Sequence, residues 1–296
     1  MRRLIENNPS FSILAGGLIA MVFPYGEFLP GEAILLFLAG LIYIACFKIA
    51  APIAGVLTLR NLIFCAARFL VFPILLWAVA TRLFPDYATG LLLLALCPVA
   101  AASPALTGLY GGNVTLAFAL TIFSSLTCVG IIPAVMALAG HAEVQIPALS
   151  MLKTLSLCIL APCLLFAASA RVPQMRTLAD KSGKLISVVL IALLIFTVIA
   201  KKRDYFLDHP EGSLLPLALT AAFYLLCYFM PMGFGKSRAD RIGYMTCSGF
   251  NNVALSAGLA FLYFDERTIV FCVVAEFVWS LLPFVASRAP ARFVRD

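Results

Sequence analysis

The chain has 296 residues, 63% of them hydrophobic and only 12% charged, and its mean hydropathy is +1.04. Soluble proteins run at about 45–50% apolar and about 25% charged residues, so a sizeable soluble domain is excluded and an integral membrane protein is implied. The formal charge of +7 sits in short clusters between apolar blocks, which excludes a nucleic-acid-binding face and makes the cations topology signals.

Charge-poor blocks predict ten spans, at roughly 10–26, 32–50, 61–82, 88–112, 113–138, 148–170, 184–200, 213–231, 241–263 and 267–287. The first follows Met1-Arg2-Arg3 and runs straight into the second with no small-residue cleavage site, so it is read as a retained helix rather than a signal peptide. The fourth is interrupted. Cys97-Pro98 breaks its apolar run, and Ser103-Pro104 restarts the chain as an N-cap followed by the first helical position, where proline's missing N–H costs nothing. From Pro104 to Gly111-Gly112 only about nine residues remain, on the order of 13 Å of helix. Two half-helices therefore meet near the bilayer midplane, and a full span follows from Asn113 to about Met136. The ninth span carries its own break at Cys247-Ser248-Gly249-Phe250-Asn251-Asn252, where a glycine beside two asparagines is poor helix material. Irregular backbone at that depth is tolerated only where protein or a watery cavity satisfies it, and broken helices of this kind build the substrate sites of many secondary transporters.

An even span count puts both termini on one side. That side carries fourteen cations (Arg2, Arg3, Lys48, Arg60, Arg171, Arg176, Lys181, Lys184, Lys236, Arg238, Arg241, Arg288, Arg292 and Arg295) against five on the other (Arg82, Lys201, Lys202, Arg203 and Arg267). The termini are therefore expected in the cytoplasm, with the protein in a plasma membrane of the bacterial inner-membrane type. Ten spans divide into two five-helix repeats, residues 1–147 and 148–296, inverted relative to each other because five is odd. A trace of the repeat survives: Cys97 to Pro133 and Cys247 to Pro283 are both separations of 36, offset by 150. The nine cysteines all lie in apolar blocks without a CxxC pair, so no disulfide framework is expected. His141 and His209 lie in connecting segments with no metal-ligand spacing around them, so neither zinc nor any other cofactor is expected. Trp77 and Trp279 read as packing or interface residues.

The first broken region, with Cys97-Pro98, Ser103, Gly112-Asn113, Leu116, Thr121 and Thr127, resembles that of the bile acid:sodium symporter family. Gly249, Asn252 and Leu255 in the ninth span, and Arg68-Phe69 with Pro73 in the third, add weaker matches. The resemblance implies an all-α carrier whose spans 1, 2, 6 and 7 form a panel and whose spans 3–5 and 8–10 form a core. It implies an organic-anion substrate and two sodium sites at the helix crossing. Ser103 and Thr121 match ligands of the first sodium site, but the family's asparagine after the serine is Pro104 and a further hydroxyl position is Ala117. The glutamate shared by both sites is Cys247, a glutamine of the second site is Asn251 beside Ser248 and Phe250, and the third-span glutamine is Arg68. A hard cation wants oxygen ligands and negative charge, so losing the carboxylate and gaining a guanidinium argues against sodium at the second site.

Arg68 and Glu276 are the ionisable residues set well inside predicted spans, each at a cost of roughly 2.5 kcal/mol or more at a helix centre, so each must face a partner or a cavity. Two readings stay open, beside a shift of the span bounds that would leave Arg68 or Glu276 at an interface. Either they pair as structural glue, or Arg68 acts as a tethered substitute for sodium. Glu276, with Ala275, falls where relatives carry polar residues, and as a buried acid it is a candidate proton carrier. The substrate-binding candidates are Ser103, Asn251, Asn252, Arg68 and Glu276. The residual ion-site positions are Ser103, Thr121, Cys247, Ser248, Phe250 and Asn251. The expected function is alternating-access transport of a small or amphipathic organic anion with altered or absent sodium coupling. The alternatives are a sodium symporter with degenerate sites, a proton-coupled carrier, an arsenite carrier using Cys97 and Cys247, a channel, or an intramembrane enzyme. The last would need a base beside a break cysteine, and no histidine lies within the predicted spans.

Overall fold

The computed structural model describes residues 9–22, 30, 33–47, 58–100, 102–140, 148–201, 203–208 and 214–286. Among them every regular element is helical. In chain order these are α1 (Pro9–Val22), α2 (Ala33–Cys46), α3 (Leu59–Leu83), α4 (Pro85–Leu96), α5 (Ser103–Leu109), α6 (Val114–Ala139) and α7 (Ala148–Ser169). The second half holds α8 (Pro173–Lys201), α9 (Arg203–Asp208), α10 (Leu214–Phe229), α11 (Arg238–Gly249), α12 (Val253–Tyr263) and α13 (Glu266–Ala286). α3, α6 and α7 are each long and apolar enough to cross a membrane, and α8 joins them if its two segments count as one span. α2, α4, α10 and α12 contain shorter apolar helices.

Polar residues start these helices where the sequence offers them. Thr58, Asn113, Ser237 and Asn252 each accept a backbone N–H three residues on with their side-chain oxygens, satisfying donors that the first helical turn leaves unpaired. Proline shapes the interiors. α3 and α7 each contain one wide turn, Ala67–Val71 and Ser156–Leu160, and each turn ends just before Phe72-Pro73 or Ala161-Pro162. A proline ring clashes with the carbonyl four residues back, and widening the turn to an i→i+5 bond relieves that clash without ending the helix.

α8 begins eleven residues before the block expected at 184–200, since Pro173 occupies its first position and Arg176, Lys181 and Lys184 continue the helix. Charge-free runs mark the apolar part of a span, whereas lysine and arginine are good helix formers that carry it further. Arg2, Arg3, Lys48, His141, Lys202, His209, Arg288, Arg292 and Arg295 lie outside the described residues.

α8 lies along α1 and α2, and α2 also packs on α7. α4 packs on α3 and α13, α10 on α11 and α13, α12 on α13, and α11 on α5 and α6. Between α5 and α6 the chain turns at Gly111, whose φ of +74° lies in the left-handed region, while a Cβ on Gly112 would stand 2.7 Å from side chains of Ile242 and Thr107. Gly111→Ala is expected to cost about 1–2 kcal/mol from the backbone alone, checked by unfolding in graded SDS. An unchanged unfolding midpoint would contradict that geometry.

Candidate functional site

The breaks between α4 and α5 and between α11 and α12 meet. Val99 and Asn251 form an isolated antiparallel bridge, with the Ala100 N–H donating to Phe250 O at 2.8 Å and the Asn252 N–H to Pro98 O at 2.7 Å. Non-helical backbone inside an apolar bundle must find partners, and each break supplies the other's. The Val99 N–H is taken by the Ser124 hydroxyl of α6 at 3.1 Å. Both predicted breaks are therefore present and in contact.

Ser103 starts α5, but its side chain does not cap it. Its hydroxyl donates across the crossing to Phe250 O at 3.0 Å, so the N-cap role expected from Ser103-Pro104 is replaced by a tertiary bond. The physical reason is that Phe250 O sits at the second break with no helical partner, and a buried hydroxyl within reach satisfies it.

Arg68 is 1% exposed and lies in the wide turn of α3. Its Nε donates to Ser248 O at 3.1 Å and to Ser248 Oγ at 3.0 Å, its Nη2 to Ser248 O at 2.9 Å, and its Nη1 to Ala95 O at 3.0 Å. Ala95 and Ser248 stand in the last turns of α4 and α11, where carbonyls lack intrahelical partners and carry the negative end of the helix dipole. The guanidinium thus links the C-terminal ends of both first half-helices. Three aromatic rings line its sides, Phe69, Phe72 and Phe223, with centroids 5.0, 5.6 and 5.5 Å from Cζ. The Arg68–Glu276 ion pair, one of the two sequence readings, is not formed among the described residues. Carbonyls at two helix ends offer the guanidinium a planar set of acceptors without requiring a second buried charge.

Asn251 is fully buried. Its Nδ2 donates to Leu94 O at 2.6 Å, and its Oδ1 accepts from the Tyr224 hydroxyl of α10 at 3.1 Å. Asn252 caps α12 through Leu255 N at 3.2 Å. Cys247 is buried among Phe69, Val99, Leu116, Ala117 and Leu120, and the Thr121 hydroxyl donates to Ala117 O of its own helix at 2.8 Å. The backbone oxygens of Ser248 and Phe250 accept from Arg68 and from Ala100 with Ser103, respectively. The expected ion-site residues are thus close to the crossing, and most of their oxygens are engaged by protein donors.

Beside the crossing lies a cavity of about 120 Å³. Ala100, Ala102, Asn251, Asn252, Val253 and Ala254 form its wall at the two breaks. Leu41 and Ile42 of α2 and Ser187 and Ile191 of α8 face them, and Glu276 and Trp279 of α13 complete it. Of the substrate-binding candidates, Asn251, Asn252 and Glu276 line this cavity, whereas Ser103 and Arg68 lie behind it in the packed crossing. Ser187 and Tyr224 escaped the sequence reading, and Trp279, read from sequence as a packing or interface residue, lines the cavity. Trp279 alone had a local signal, standing three residues after Glu276 on one helix face.

Residues 36–209 match the family described as the Sodium Bile acid symporter family, a stretch that includes the first break and ends before the second. No curated protein matched the chain in a sequence comparison. The match covers more than half of the 296 residues, and the chain belongs to the sodium bile acid symporter family of membrane transporters.

Proposed function

We propose that the protein is an alternating-access carrier of small organic anions in which Arg68 permanently occupies the place of a coupling cation, so that transport does not depend on sodium. Two inverted repeats, 1–147 and 148–296, would each contribute ten-span topology's five helices and one broken span. In favour of this, half-helix, break, half-helix and following span recur in the same order in α4–α6 and α11–α13. The panel would be α1, α2, α7 and α8, and the core the remaining spans, with the cavity on the line along which the two sets would rock.

One observation carries the proposal. A guanidinium donates to the carbonyls of Ala95 and Ser248 at the ends of two broken helices, where a bound cation would otherwise offset the same partial charges. A tethered charge does that without dissociating, so it cannot be carried across the membrane. Cys247, packed among apolar side chains, supplies no carboxylate to attract a second cation.

The test is uptake of labelled short carboxylates, arylcarboxylates and sulfonates into proteoliposomes. Saturable uptake at equal rates in sodium and potassium media is expected. Acceleration by an inward sodium gradient would overturn the tethered-cation mechanism, and flux that never saturates would replace the carrier with a channel.

A further inference from the structure

Two polar atoms at the cavity have no partner among the described residues: Glu276 Oε2 and Trp279 Nε1. Glu276 is 2% exposed, so its carboxyl group is desolvated, and its Oε2 is unpaired. Such an arrangement is out of keeping with the rest of the crossing, where Ser103, Arg68, Asn251 and Ser124 all find partners. A buried polar group left unsatisfied in an otherwise saturated network points to a species absent from the structure.

The charge around it narrows that species. Among the described residues, the cavity wall contains no lysine, arginine or histidine, and Arg68 makes no ion pair with Glu276. The titratable side chains on the helices packed against α13 begin with Tyr224 and Cys227 of α10, and the Tyr224 hydroxyl is already given to Asn251. α4 brings Tyr87 and Asp86, the latter bonded to Arg267 at the end of α13 itself, while the break after α4 brings Cys97 and α13 brings Cys272. Tyr263 of α12 bonds Thr154 and Ser150; Arg176, Asp180 and Lys181 of α8 are exposed, Lys201 is its last residue, and the Lys184 side chain lies outside the described residues. None of the described side chains is a fixed cation facing the carboxyl. Among the described residues an ionised Glu276 would therefore be an uncompensated buried charge, which is costly away from water, and it would also repel an anionic substrate.

We infer that Glu276 holds a proton and presents it to the substrate anion, so that anion and proton share this cavity and cross together. The acid O–H and the Trp279 indole N–H then form a two-donor clamp on one face of the anion. The first turn of α12, whose Val253 and Ala254 also line the cavity, adds the positive end of its dipole. This rests on the anion-carrier proposal above and adds the coupling ion to it. A proton held on a carboxyl can leave, whereas the charge of Arg68 cannot, so the two buried ionisable groups divide the roles of structural and transported cation between them.

The cavity is near the size that takes one aromatic ring, about 150 Å³, so benzoate and its cationic counterpart benzylamine are suitable probes. Binding is read from Trp279 fluorescence in the full-length protein carrying Trp77→Phe, since the chain has two tryptophans. Benzoate affinity is expected to be flat at low pH and to fall about tenfold per pH unit once Glu276 ionises, because one proton is required. Glu276→Gln, whose amide keeps a donor, is expected to lose that slope. Infrared difference spectra of the substrate-free protein are expected to show a protonated-carboxyl C=O band that titrates and is missing in Glu276→Gln. Equal slopes in parent and variant, a carboxylate band at every pH, or quenching by benzylamine rather than benzoate would each overturn the inference while leaving the carrier intact. No response to either probe in either protein would count against the carrier reading itself, and the inference would fall with it.

Discussion

Arg68→Met is expected to be the most damaging single substitution in the core, destabilising the protein by about 2–6 kcal/mol and abolishing transport. The figure follows from the two carbonyls it strands, Ala95 O and Ser248 O, each costing about 1–3 kcal/mol when buried without a donor. Methionine fills much of the space between Phe69, Phe72 and Phe223, so the loss would report hydrogen bonding and charge rather than a cavity. Arg68→Lys separates those two contributions. It keeps the charge but replaces a planar fork with one compact head, which cannot reach both helix ends with the same geometry, and an intermediate loss is expected. Unfolding in graded SDS and uptake in proteoliposomes check both variants. A methionine variant as stable as the parent would mean that the guanidinium contributes nothing to holding the broken helices together.

The second large effect is expected at Asn251. Asn251→Ala removes the bonds to Leu94 O and from Tyr224, leaving the buried Tyr224 hydroxyl unpaired and Leu94 O with only the Cys97 N–H at 3.3 Å, so roughly 1–3 kcal/mol should be lost. Tyr224→Phe removes only the second bond, together with its own hydroxyl, and should cost about 1 kcal/mol. The double variant is informative because the residues touch. A combined loss smaller than the sum is expected, since the hydroxyl stranded by the first change is deleted by the second. Strict additivity would show that the Asn251–Tyr224 bond is not made in the folded protein.

Much of this crossing was legible in the chain itself. Cys97-Pro98, Ser103-Pro104 and Gly249-Phe250-Asn251-Asn252 are local signals, because proline removes a donor and glycine and asparagine weaken a helix wherever they stand. The same locality explains the errors. Ser103 reads as an N-cap when only its neighbour Pro104 is considered, yet its hydroxyl is claimed by Phe250, 147 positions away. Arg68 reads as a partner for Glu276 when buried charges are simply matched by sign, yet two helix ends compete for it and win.

Composition and breaker positions alone determined that this is a polytopic helical membrane protein, where its helices fail, and that two ionisable groups must be housed inside it. These are short-range properties of the backbone and of transfer from water. Which group found which partner was decided only by the tertiary structure. Arg68 meets Ser248, 180 residues away, and Glu276 meets a cavity wall drawn from α2, α8 and both breaks. Hydrogen-bond satisfaction in an apolar interior is settled by whichever donors and acceptors the packing brings within about 3 Å, and no periodicity along the chain records that choice.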